Sequence, residues 1–240
     1  MNQNPIPNQL SGSPVTPSML GVKPDARLAT AFLTQAFVWM FAGLLLSAGV
    51  AWAVQSNEQL LAFARDYFFL LFIGQLALVF VISGAISRIN ASLALLLFFV
   101  YAATLGITLG LIVSLYSGAS VVTAFLSASS MFGAAAIYGA VTKRSLAGLG
   151  GILVMGVVGL LVAMVINLFV ASTAITWLVS VAGVVIFTAL TAYDVQRIGA
   201  GDLAAMTGSM EKAAVIGALR LYLDFINLFL FMLRLLGGRN

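Results

Sequence analysis

The 240-residue chain has no cysteine and no histidine, and all five prolines (Pro5, Pro7, Pro14, Pro17 and Pro24) fall within the first 24 residues. The first absence excludes disulfides and thiol nucleophiles. The second removes the usual general base, and together they remove the common zinc ligand sets. Any chemistry must come from carboxylates, hydroxyls and amides. Charge is scarce as well: 8% of residues are charged and 62% are hydrophobic, whereas soluble domains give about a quarter of their residues to charge. This is the composition of an integral membrane protein. The net charge of +4 comes from eleven basic residues, scattered singly or in pairs at the ends of apolar runs. That distribution reads as membrane topology, and no nucleic-acid partner is expected.

What is present divides into a tail and a membrane body. The prolines lie among Asn, Ser and Gln, which predicts a disordered amino-terminal tail over residues 1–27 ahead of a transmembrane domain over 28–240. Apolar runs at about 30–54, 67–86, 92–115, 120–141, 150–171, 173–193 and 213–236 each approach the roughly 20 residues needed to cross a bilayer. The fold class is therefore all-α, with seven transmembrane helices. Connections as short as SRINAS (87–92) and YSGAS (116–120) make sequence neighbours antiparallel and hold the helices in one bundle. No proline follows Pro24, so helix contacts must rest on small residues, as in GITLG (106–110) and the stripe Ser129, Gly133, Ala136, Ala140.

Basic residues set the orientation. A cytoplasmic amino terminus puts Lys23, Arg27, Arg88, Lys143, Arg144, Arg197 and Lys212 in cytoplasmic segments, against Arg65 in the first external loop. Seven passes leave Arg234 and Arg239 outside, whereas a re-entrant last segment would keep them inside. Residues 225–233 are the last segment's longest stretch without a charged residue, roughly 14 Å of helix and too short to span alone. The last helix is accordingly expected to be shielded by the other six.

Asp25, Glu58, Asp66, Asp202 and Glu211 fall in the tail or in loops, which leaves two acids on apolar helices: Asp194 in LTAYDVQRI and Asp224 in LRLYLDFINLFLFMLR. Gly217, Arg220, Asp224 and Asn227 follow three- and four-residue steps, so they share a polar face that must turn into the bundle. Two ordinary readings stand beside a functional one. Arg220 could neutralise Asp224 within its own helix, and Arg197 could pair with Asp194 at the wetted helix end. If the two carboxylates instead approach each other in a low-dielectric bundle, they share a proton and titrate as a unit. Ionised, they offer oxygen ligands for a hard cation, with Asn227 and Asn167 as supplements. Depth is the obstacle: with helix ends near Gly199 and Ala213, the two acids differ in depth by roughly 9 Å.

Four blocks, YGAVTKRSL (138–146), MVINLFVAS (164–172), FTALTAYDVQRI (187–198) and GALRLYLDFINLFLFMLR (217–234), resemble in order those of the Bax inhibitor-1 family. The resemblance covers about residues 25–238 and points to a bacterial member. It implies a seven-helix fold with a buried last helix, and a calcium leak regulated by pH through an aspartate pair. By motif, that pair is Asp194 and Asp224, which would sense protons, line the ion path and hold calcium transiently. Arg88 in ISRIN occupies the place of the family's latch on the pair. Calcium would be the transported ion and no cofactor is expected. The location implied is the bacterial inner membrane.

An enzyme is not expected. The YD pair at 193–194 and GAGD at 199–202 resemble fragments of intramembrane aspartyl proteases, but Asp194 and Asp202 lie eight residues apart, about 12 Å along one helix instead of on two facing ones. The rival reading is an interaction protein that modulates a membrane-embedded protease or another membrane complex through its exposed tail.

Overall fold

Five helices of this chain start where a short polar side chain takes up unpaired backbone N–H groups. In the computed structural model, which describes residues 26–207 and 209–238, nine α-helices follow one another. They are α1 (Ala26–Gln55), α2 (Glu58–Asp66), α3 (Phe68–Ala85), α4 (Ala91–Val113), α5 (Gly118–Val141), α6 (Gly150–Val170), α7 (Thr173–Gly199), α8 (Asp202–Thr207) and α9 (Met210–Leu236). Asn57, Asn90, Ser117, Ser172 and Ser209 accept hydrogen bonds from the first turns of α2, α4, α5, α7 and α9, the arrangement short polar side chains favour at an N-cap. Among the described residues seven helices are long and apolar enough to cross a membrane: α1, α3, α4, α5, α6, α7 and α9. The expected tail lies outside the described residues, except that Ala26 and Arg27 open α1.

Two boundaries differ from the apolar runs. α7 continues past Tyr193 through Asp194, Gln196 and Arg197 to Gly199, because those polar side chains find partners that keep the helix intact. α9 begins at Met210 under the Ser209 cap. Two short helices were not apparent in the sequence. α2 lies between the first two spans, and α8 occupies part of the 199–212 linker.

α9 is the central helix. In its most apolar stretch 72% of the residues are buried, against 11–44% in the other six spans, and it packs on α7, α1 and α5. Its continuous 27 residues make about 40 Å of helix, enough to cross without turning back. The neighbours supply the shielding that its own sequence lacks.

Small residues decide the closest contacts. α1 and α4 run parallel, and a Cβ on Gly106 or Gly110 would lie 2.8 Å from Val50 or Val54 on α1. GITLG is thus a helix-packing motif. Gly139 of α5 leaves no room for a Cβ against the Ala192 carbonyl of α7. In the other stripe, Ala136 is buried while Ala140 is exposed and Gly133 has open space around it. Ser47 ties α1 to α4 and α9 in the same core: its Oγ lies 2.7 Å from the Ala102 carbonyl and 2.6 Å from the Tyr222 hydroxyl.

The turns identify two faces. Lys212 donates to the Ser87 carbonyl at 3.3 Å, and Gln196 is bonded to Leu146 N and the Arg144 carbonyl. The α3–α4, α5–α6 and α7–α9 connections therefore share one face, with Arg88, Lys143, Arg144, Arg197 and Lys212. The opposite face carries Arg65, the α4–α5 turn and the end of α9, where Gly238 N donates to Ser120 Oγ at 3.0 Å.

Candidate functional site

Arg220 of α9 bonds Asp194 of α7, and Asp224 lies one turn further along α9. The guanidinium of Arg220 on α9 donates from Nη1 to Oδ1 of Asp194 on α7 at 3.1 Å. Both acids are buried, Asp194 at 6% exposure and Asp224 at 4%. The pairing is consistent with a single antiparallel register. Phe231, eleven residues after Arg220, fills the space beside Gly183, eleven residues before Asp194. Asp224 consequently sits one helical turn past Arg220, so the axial offset between the acids is about 6 Å. The register of α9 against α7 reduces the mismatch expected from the sequence, although α9 starts earlier than its apolar run.

Neither ordinary ion pair forms. Arg220 reaches across to α7 and does not fold back onto Asp224. Arg197 turns away from Asp194: its Nε lies 3.3 Å from Oδ2 of Asp202, its Nη1 donates to the Tyr193 hydroxyl at 3.0 Å, and its guanidinium stacks over the Tyr193 ring. Asp202 is itself buried and was misplaced as a loop acid because no apolar run surrounds it. Among the described residues these two are the ion pairs.

Asp224 is left in an unusual state. Its Oδ2 is buried with no hydrogen-bond partner among the described residues, as is Oδ1 of Asp202, and the charges acting on Asp224 are those of Asp194 and Arg220. A buried polar atom without a partner is rare in folded proteins and requires a specific explanation.

The remaining expected residues are placed as follows. Asn227 is half-buried and donates from Nδ2 to the Leu223 carbonyl of its own helix at 2.8 Å. Asn167 closes the α6–α7 turn, accepting from Ser172 N at 2.9 Å and donating to Thr176 Oγ1 at 2.7 Å. Thr176 and Asp194 are eighteen residues apart on α7, about 27 Å, so Asn167 stands at the far end of the bundle from the acids. Arg88 is exposed in the α3–α4 turn and bonds to neither aspartate. The cation bonded to Asp194 is Arg220.

The fold and this cluster define a class: a seven-span helical membrane protein with a shielded last helix that carries a buried acid beside an interhelical arginine–aspartate pair. The family description "Inhibitor of apoptosis-promoting Bax1" matches residues 29–240, and the chain belongs to that Bax inhibitor-1 family. It is similar to the inner membrane protein YbhL of Escherichia coli, 41% identical over 225 residues that cover 91% of this chain and 96% of the relative. An uncharacterized protein of Borreliella burgdorferi is 40% identical over 223 residues, again 91% and 96%. One of Deinococcus radiodurans is 42% identical over 210 residues, 87% and 91%.

Proposed function

We propose that this protein is a pH-sensitive calcium leak of the bacterial inner membrane, with Asp194 and Asp224 as the proton-sensing part of the ion path and Arg220 as the latch on Asp194. The observation that carries the reading is the buried, unpartnered Oδ2 of Asp224, one turn past the Arg220–Asp194 pair. A charged side chain in the bilayer interior costs at least a few kcal/mol, and acids kept there mark ion or proton pathways. Asp224 is accounted for if a proton or a cation visits it. Family membership supports the same reading. The Escherichia coli relative YbhL is an inner membrane protein, which supports the same location here, and the excess of basic residues on one face supports a cytoplasmic position for that face and the amino terminus.

Arg220 confers a specific logic. With both acids ionised, it neutralises Asp194 and holds α7 to α9 at the level where a cation must pass. Protonation of the pair weakens that hold and also weakens attraction for calcium. In this reading calcium is cargo, there is no resident cofactor, and the protein is not an enzyme. Two carboxylates, with no larger acidic group among the described residues, suit a slow leak better than a high-throughput pore.

The test is calcium flux into liposomes holding the purified full chain between about pH 5.5 and 8, with Asp194→Asn, Asp224→Asn, Arg220→Gln and Arg88→Gln beside the parent. Flux whose pH dependence changes in both aspartate variants, and more in Arg220→Gln than in Arg88→Gln, supports the proposal. The absence of protein-dependent flux at every pH overturns it and leaves the interaction protein as the better reading.

A further inference from the structure

The eighteen residues of α3 read FFLLFIGQLALVFVISGA and contain a single amide side chain, Gln75. It is 5% exposed, in a helix that otherwise faces outward along most of its length. Its Nε2 donates to the Thr104 carbonyl at 3.0 Å and to Thr108 Oγ1 at 2.7 Å, both on α4. The Thr104 carbonyl can only accept, so the amide is fixed with its nitrogen toward α4. Oε1 is left with no donor among the described residues.

Gln75 lines a groove of about 410 Å³ between α2, α3 and α4, whose walls include Phe63, Tyr67, Leu70, Leu71 and Leu78 and carry no charged side chain. The volume lies within the roughly 300–1,000 Å³ of small-molecule sites. Gln75 is seven residues into α3, about 10 Å from its start, at a depth where the bilayer supplies no hydrogen-bond donor.

We propose that the groove between α2, α3 and α4 binds an uncharged lipid alcohol, with its hydroxyl donating to Oε1 of Gln75 and its hydrocarbon lying against Phe63, Tyr67 and the α3 leucines. A phospholipid keeps its charged headgroup at the interface and presents only an acyl chain at this depth, which gives Gln75 nothing to accept. Esters, ethers and ketones bring acceptors to an acceptor. A long-chain alcohol combines one donor with an apolar body, the complement of a largely apolar wall in which the buried Gln75 Oε1 is an acceptor without a donor. This site is separate from the aspartates and does not depend on the calcium reading.

The experiment uses the purified full chain in phosphatidylcholine nanodiscs, photolabelled with a long-chain alcohol carrying a diazirine, with adducts mapped by peptide mass spectrometry. Adducts should fall within residues 63–78 or at Thr104. Unlabelled alcohol should compete roughly tenfold better than its methyl ether, the discrimination expected from one hydrogen bond in an apolar site. Gln75→Leu should abolish that difference. Gly74→Leu, at a position where an added Cβ meets nothing within 4 Å, should block labelling while preserving the Gln75 bonds to α4. Equal competition by alcohol and ether in the parent means that an ordinary chain occupies the groove and overturns the proposal. Adducts elsewhere, or labelling undiminished in Gly74→Leu, overturn it as well.

Discussion

Arg220 Nη1 lies 3.1 Å from Oδ1 of Asp194, across the interface between α9 and α7, although Asp224 is one turn away on the arginine's own helix. The contact joins the two acid-bearing helices. Removing the arginine should therefore do more than remove a charge: Arg220→Gln leaves Asp194 buried without its partner and should cost roughly 1–3 kcal/mol. Thermal unfolding in detergent is the measurement. Asp194→Asn in the same background should recover part of the loss, because the orphaned charge is then gone.

Asp224→Asn should behave differently. The parent carboxylate has a buried oxygen without a partner, so replacing it with a neutral amide should leave the melting temperature unchanged or raised. Calcium flux in liposomes should nonetheless lose its pH dependence. A variant that unfolds, with flux following the loss of protein, would instead assign Asp224 a structural role.

Two glycines of α5 should separate sharply. Gly139→Ala forces a Cβ into the Ala192 backbone of α7, whereas Gly133→Ala meets nothing within 4 Å. The first should destabilise by about 1–3 kcal/mol, the usual cost of overpacking a close contact. The second should be neutral or slightly stabilising. Paired melting curves decide it.

Ser47 and Tyr222 should prove coupled. Their oxygens are 2.6 Å apart inside the bundle, and each single removal, Ser47→Ala or Tyr222→Phe, should cost about 1 kcal/mol. The double variant should cost less than the sum, since one interaction cannot be lost twice.

The lack of native cysteine makes the two faces directly measurable. Single cysteines at Ser87 and Lys143 should react with an impermeant maleimide from one side of the membrane, and cysteines at Arg65 and Leu236 from the other. Labelling of Ser87→Cys and Leu236→Cys from the same side would mean that α9 does not cross.

The sequence by itself determined the membrane class, the seven spans and the two acids buried within the spans; Asp202, buried outside them, it did not reveal. Hydrophobic run length and the cost of charge in hydrocarbon are local properties, readable from composition and position alone. The four family blocks were legible for the same reason, as contiguous strings. Tertiary structure decided the partners. Arg220 is near Asp224 in sequence but bonds Asp194; Arg197 is near Asp194 but bonds Asp202; Asn167 belongs to a turn at the far end of the bundle from the acids. Helix periodicity fixes which face a side chain occupies on its own helix. The neighbour it meets depends on the register between helices, set here by Gly183 against Phe231 and by the close approach of Gly139 to α7. The burial of α9 had the same origin: its sequence carries an arginine and an aspartate that lipid would not accept, and only the surrounding helices provide the interior that holds them.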